Sequence, residues 1–202
     1  MESRTHWQRV YETKTEDEVS WFQDTPAVSA DLISSVAPSG ATVIDVGGGA
    51  SRLVDRLVAD GYQVTVLDIA DAALAKARTR LGAAAHSVDW VAADITQWQP
   101  VHRFKVWHDR ALFHFLVKPE DRRAYLRLAS TAIEDGGFAI IGTFASDGPQ
   151  RCSGLPVRRY DPEDLAAEFG PAFEHVNDLR HDHATPSGSV QRFQFTVLRK
   201  LP

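Results

Sequence analysis

Between residues 42 and 59 the chain changes its hydrophobic period across three consecutive glycines. Thr42-Val43-Ile44-Asp45-Val46 is a β-branched run and Gly47-Gly48-Gly49 breaks it. Leu53, Val54, Leu57 and Val58 then recur at helical spacing. A buried strand that turns through glycine into a helix is the opening unit of an α/β sheet, where ligands lie beyond the carboxyl ends of the strands. The glycines permit unusual dihedrals and a close backbone approach by a ligand.

The alternation continues downstream. Gly61 can end the first helix, residues 64–67 read as the next strand, and Asp68 closes it. Asp71 can cap a helix over residues 72–81 that stops at Gly82. Residues 88–92 and 104–107 read as the third and fourth strands, 119–133 as a helix and 138–144 as the fifth strand. Strands separated by single helices imply parallel pairing with right-handed crossovers. The last third differs. Pro162 can start a helix that ends by Gly170, and residues 173–179 and 191–198 then read as an antiparallel pair. Residues 1–36, with Trp7, Trp21 and Phe22, read as a helical extension lying on the sheet.

Three carboxylates specify the ligand. A dinucleotide site wants G-x-G-x-x-G, but Arg52 stands where the last glycine belongs, and the lysine of a phosphate-binding loop is absent. Asp45, two places before Gly47, disfavours a phosphate and favours a cationic end. Asp68 is placed for a ribose diol. Asp94, in Val91-Ala92-Ala93-Asp94-Ile95, follows the third strand and could accept from an exocyclic amine. Acids at three successive strand ends suit a nucleoside with a cationic, amino-acid-like tail, which is S-adenosylmethionine.

On these residues the sequence resembles the class I S-adenosylmethionine-dependent methyltransferases. IDVGGGAS looks like their first motif, VLDIADAAL like the second-strand motif and VAADITQW like the third-strand acid motif. The frequent third glycine of the first motif is Ser51 here. The resemblance implies a Rossmann-like, doubly wound, mostly parallel seven-stranded sheet whose last strand inserts antiparallel. It implies that Asp45, Gly47, Gly48, Gly49 and Ser51 surround the methionine portion of the cofactor. Asp68 then holds the ribose, Ile69 lies against the adenine, and Asp94 and Ile95 border it. The expected organisation is one methyltransferase domain over residues 1–202. It comprises an N-terminal extension or lid (1–36), a cofactor-binding core (40–145) and a substrate-side loop with antiparallel C-terminal strands (146–202). VSWFQ and WHDRALFHFL look like a bacterial subgroup of these enzymes and, more distantly, like relatives that methylate protein lysines.

Trp107-His108-Asp109-Arg110-Ala111-Leu112-Phe113-His114-Phe115 follows the fourth strand, whose carboxyl end faces the transferable methyl group in this fold. Asp109 and His114 are the expected catalytic residues, with His108 in reserve and also beside the cofactor. His114 could serve as general base near neutral pH, and Asp109 could orient a neighbour. If the segment turns helical, Asp109 and His114 lie about 140° apart round the axis, whereas Asp109 and Phe113 share a face. On that geometry Asp109 with Arg110 borders the methyl group, and Phe113 and Phe115 wall out water or contact the sulfonium by cation–π attraction. Trp21 as part of a lid, and Arg159 beside Arg158, complete the expected substrate side. Cys152 reads as a loop residue, and His181-Asp182-His183 as a solvated loop that lacks a third metal ligand, so no metal is expected.

Composition narrows the partners. The 202 residues carry 22 lysines and arginines against 27 acids, a formal charge of −5, which argues against a nucleic-acid backbone as main partner. A single cysteine excludes an internal disulfide framework. Residues 1–20 are polar and no apolar run reaches membrane-spanning length, so a soluble, cytoplasmic protein is expected. Nothing in the sequence sets an oligomeric state. The expected function is methyl transfer to a small molecule at a nitrogen, oxygen or sulfur atom. A protein-lysine methyltransferase and a non-catalytic cofactor-binding protein are the alternatives.

Overall fold

A computed structural model describes residues 2–202; Met1, within the expected extension, lies outside them. The extension comprises α1 (Glu2–Thr13) and α2 (Ala27–Val36), with a 3-10 turn at Glu16–Glu18 between them. Strands and helices then alternate: β1 (Thr42–Val46), α3 (Leu53–Ala59), β2 (Gln63–Asp68), α4 (Asp71–Leu81), β3 (Val88–Ala92), β4 (Phe104–Arg110), α5 (Pro119–Ala132) and β5 (Ile133–Phe144). A short hairpin of β6 (Arg151–Cys152) and β7 (Leu155–Pro156) precedes α6 (Pro162–Phe169), β8 (Phe173–Ala184) and β9 (Val190–Lys200).

Seven strands form one sheet in the order β3-β2-β1-β4-β5-β9-β8. β1 to β5 pair in parallel, and β9 inserts between β5 and β8, antiparallel to both. Strand side chains alternate between faces, and the two faces bury different sets. Val43, Val64, Val66, Val106 and Ile140 pack with Ile33, Leu53 and Leu57 of α2 and α3. Ile44, Val46, Leu67, Trp107 and Ile141 pack with Tyr125, Ala129 and Leu165 of α5 and α6. This parity decides the site: Asp45, His108 and Arg110 share the first set's phase, and Asp109 shares the second's.

Two local expectations change. α4 starts at Asp71, but Ala70 takes the N-cap position, and its N–H donates to Asp68 Oδ1 at 2.8 Å. β8 runs to Ala184 because its pairing with β9 continues to Ala184↔Val190, so His181-Asp182-His183 is strand, not loop. His183 is buried and its Nε2 meets the Ser20 carbonyl at 2.9 Å. Among the described residues, no group of three or more His, Cys, Asp or Glu could hold a metal ion, and no helix is long and apolar enough to cross a membrane.

Candidate active site

The glycine turn after β1 is held from three sides. Gly47 has φ of +73°, and a Cβ there would stand 2.8 Å from Leu112 Cβ. Gly49 has φ of +54°, and a Cβ there would stand 2.6 Å from Tyr11 Oη. Gly47 N–H donates to the Leu67 carbonyl at 2.7 Å. Arg80 clamps the far side, donating to the Ala50 and Ser51 carbonyls at 2.9 and 2.8 Å while pairing with Asp55 and Glu16. The Ser51 hydroxyl accepts from Leu53 N–H at 3.1 Å, at the start of α3.

Two adjoining cavities open around this turn. The larger, about 200 Å³, includes Asp68, Ile69, Asp94, Ile95, Phe115 and Cys152 in its lining. The smaller, about 50 Å³, includes Ser29, Asp45, Gly48, Ser51 and His108. Tyr11, Trp21, Gly47 and Arg110 border both. The roof comes from the extension: Trp7 and Tyr11 lie one helical turn apart on α1. Trp7 meets Phe115 edge-on with centroids 5.0 Å apart, and meets Trp21 at 5.6 Å.

The polar groups are strongly conditioned by burial. Asp68 is pushed up to about 7 by burial, with Asp45 adding to the rise and the Ala70, Ile69 and Gly49 N–H groups opposing it. Tyr11 is held well above the usual phenol range by burial and by Asp68. Asp45 sits opposite His108 in the β1–β4 register, and His108 Nδ1–H donates to Asp45 Oδ1 at 2.7 Å. His108 Nε2 pairs with Ser29 Oγ of α2 at 2.9 Å. Asp94 Oδ1 accepts from the N–H and hydroxyl of Thr96 at 2.9 and 2.7 Å.

Four expected site residues lie elsewhere. Asp109, one strand position from Arg110, turns to the other face. Its carboxylate accepts from the Leu112 and Phe113 N–H groups and, at 2.7 Å, from Tyr125 Oη. Burial pushes it up to about 6, and it lines neither cavity. Phe113 packs on that same face against Tyr125, Tyr160 and Phe169. His114 is fully buried between Phe115 and Phe144, its Nδ1 accepts from Phe144 N–H at 3.4 Å, and it also lies outside both cavities. Burial, aided by Arg110, pushes it down to about 3, so the imidazole stays neutral near pH 7. Arg159 donates to the Gly148 carbonyl and reaches neither cavity. The expected helical turn from Asp109 is instead strand, a left-handed Ala111 with φ of 72°, and a 3-10 turn at Phe113–Phe115. Sequence reasoning missed Tyr11 and Ser29. Trp7 and Tyr11 at helical spacing in a polar helix was the available signal for the first; a lone serine on α2 offered none.

A glycine turn after β1, acids at the ends of β1 and β2 and just beyond β3, and an inserted antiparallel last strand define the Rossmann-like methyltransferase fold. Residues 43–137 match a protein family described as a methyltransferase domain. Residues 43–137 thus form a methyltransferase domain, on a sheet with the fold of the class I S-adenosylmethionine-dependent enzymes. No curated protein matches the sequence. Among solved structures it is similar to the 1,6-didemethyltoxoflavin-N1-methyltransferase of Burkholderia thailandensis with 1,6-didemethyltoxoflavin and S-adenosylhomocysteine bound. The identity is 22%, over 99% of this chain and 88% of that one, with a TM-score of 0.79. It is also similar to the N-methyltransferase NodS from Bradyrhizobium japonicum with S-adenosylhomocysteine, at 15% identity over 96% and 97% of the chains and a TM-score of 0.71. The glycopeptide N-methyltransferase MtfA with S-adenosylmethionine gives 16% identity, 94% and 100% coverage and a TM-score of 0.68. At these identities the likeness is one of fold.

Proposed function

We propose that the chain methylates a small-molecule nucleophile enclosed beneath the N-terminal extension. The observation that carries this reading is the larger cavity, which runs from Asp68 and Asp94 to Arg110 and Cys152 under Trp7 and Tyr11. Asp68 is the acceptor for a ribose diol, with Ile69 and Ile95 offering apolar surface to a base and Asp94 an edge acceptor. Asp45 faces the smaller cavity as the partner of an ammonium group, oriented by His108. The acids Asp45, Asp68 and Asp94 and the apolar Ile69 and Ile95 that line the two cavities fit such a ligand. When bound, S-adenosylmethionine would supply an electrophilic methyl on a sulfonium, passed in line to the acceptor while the neutral thioether leaves.

The chain's own task is then positioning. Holding reacting atoms within about 3–3.5 Å and in line supplies most of the acceleration. Trp7, Trp21 and Phe115 exclude water from that line. Neither Tyr11, which borders both cavities, nor Cys152 of the larger one is a free base: Tyr11 is held protonated, and burial pushes the Cys152 thiol up to about 11. The acceptor therefore arrives with its lone pair available. A lysine side chain is disfavoured by the Arg110 guanidinium on its path. Calorimetry with S-adenosylmethionine, followed by radiolabelled-methyl transfer in a lysate split into protein and small-molecule fractions, tests this. Label in the small-molecule fraction supports it; label only in protein, or none with cofactor bound, refutes it.

A further inference from the structure

Among the described residues, Arg110 forms no ion pair. Its Nη1 donates to the Trp21 carbonyl at 3.0 Å, while Nε and Nη2 are buried with no hydrogen-bond partner. Its guanidinium lies over Phe193 of β9, 4.5 Å from the ring centroid. Asp45 acts on it only through space, and Asp45 Oδ1 is already taken by His108. Burial pushes Arg110 down to about 10. A buried guanidinium with open donors is an unfavourable arrangement unless an anion completes it.

The neighbours indicate which anion. Arg110 projects toward the β5–β9 side of the cavity. Its charge bears on Cys152 of β6 and on His114 and His183. The smaller cavity, which Arg110 also borders, has Asp45, Ser29 and Arg52 as its own polar groups for an amino-acid tail. A sulfonium placed between the cavities would add a second positive charge beside Arg110. An acceptor bearing a carboxylate removes that repulsion and offers two oxygens to a planar guanidinium fork. The rest of that wall is aromatic, with Trp7 set edge-on to both Trp21 and Phe115. Such a wall packs a flat ring through offset or edge contacts.

We propose that Arg110, with the wall of Trp7, Trp21 and Phe115, forms an acceptor subsite selective for an aromatic carboxylate. This rests on the methyltransferase reading above and names the substrate class for the same site.

The test uses the full-length protein saturated with S-adenosylhomocysteine. Anthranilate, salicylate and quinoline-2-carboxylate are compared with their carboxamides by saturation-transfer NMR and calorimetry. The acids bind, and the amides bind at least tenfold more weakly. Arg110→Met abolishes that preference, keeps S-adenosylhomocysteine affinity within threefold, and melts no lower than the parent because the unpaired charge is gone. If Arg110→Met does not fold, Arg110→Gln makes the same comparison. Equal binding of acids and amides by the parent, or binding of neither, overturns the proposal. So does a loss of more than tenfold in S-adenosylhomocysteine affinity on replacing Arg110, which assigns the guanidinium to the cofactor's own carboxylate. Cofactor binding by the parent is measured first, so its failure is read against the methyltransferase reading before any probe is added.

Discussion

Replacing Asp68 by Asn separates stability from binding. Folding raises the proton affinity of this carboxyl from 3.8 to about 7, chiefly through burial. The folded state therefore holds the proton more tightly than the unfolded chain. The stability that this contributes is complete below pH 4 and is lost as pH rises to about 7. Each tenfold in proton affinity corresponds to about 1.4 kcal/mol, so ionised Asp68 destabilises the free protein by up to about 4 kcal/mol above pH 7. Asn keeps an oxygen for the Ala70 N–H and carries no charge. Asp68→Asn is thus expected to melt several degrees above the parent at pH 8, with the gap closing toward pH 4. Its affinity for S-adenosylmethionine should fall by tenfold or more, because a charged acceptor for the ribose diol is worth roughly 1.5–3 kcal/mol. The parent's affinity should weaken as pH falls below about 7, where Asp68 gains its proton, and the variant's should not. Scanning fluorimetry from pH 4 to 8 and calorimetry at pH 6 and 8 read both effects. An Asn variant that binds cofactor as the parent does refutes the ribose assignment. A melting difference that does not change with pH refutes the burial argument.

Other residues give simpler expectations. Gly47→Ala places a Cβ 2.8 Å from Leu112 at a φ of +73°, so it should lower stability by roughly 1–3 kcal/mol in urea unfolding and weaken cofactor binding. His114→Leu should change the melting temperature yet leave turnover per folded molecule and its pH profile unaltered; loss of a pH limb near neutrality would show that the imidazole takes part in chemistry. Tyr125→Phe strips the Trp107 Nε1–H and Asp109 of their shared partner, each now 2.8 and 2.7 Å from its oxygen. A loss of roughly 1–3 kcal/mol is expected, with cofactor affinity within threefold, by denaturant titration and calorimetry.

The fold and the placing of three acids at strand ends were readable because they depend on local order. Strand, glycine turn and helix follow one another between Thr42 and Ala59, and the acids at positions 45, 68 and 94 mark three successive strand ends. Short-range periodicity and turn chemistry specify such units before any long-range contact forms. The antiparallel finish was legible for the same reason, since residues 173–198 hold two strand-like segments with only a loop between them.

Side-chain direction was decided by tertiary structure. Histidine, aspartate and arginine at positions 108–110 look equivalent on paper. Once β4 extends to Arg110, the period of two sends His108 and Arg110 toward the cavities and Asp109 into Tyr125 and the N–H groups of the next turn. His114 becomes a packing residue because the turn after Ala111 closes over Phe144, and burial keeps the ring neutral. His183 is drawn into β8 by pairing with a strand that follows it in the chain. The roof of Trp7 and Tyr11 exists only because α1 docks beside α4, with the Ala72 N–H donating to the Gln8 side chain at 3.2 Å. Composition and periodicity specify which elements form; burial, pairing partner and strand parity then set which of their polar groups meet a ligand and in what charge state.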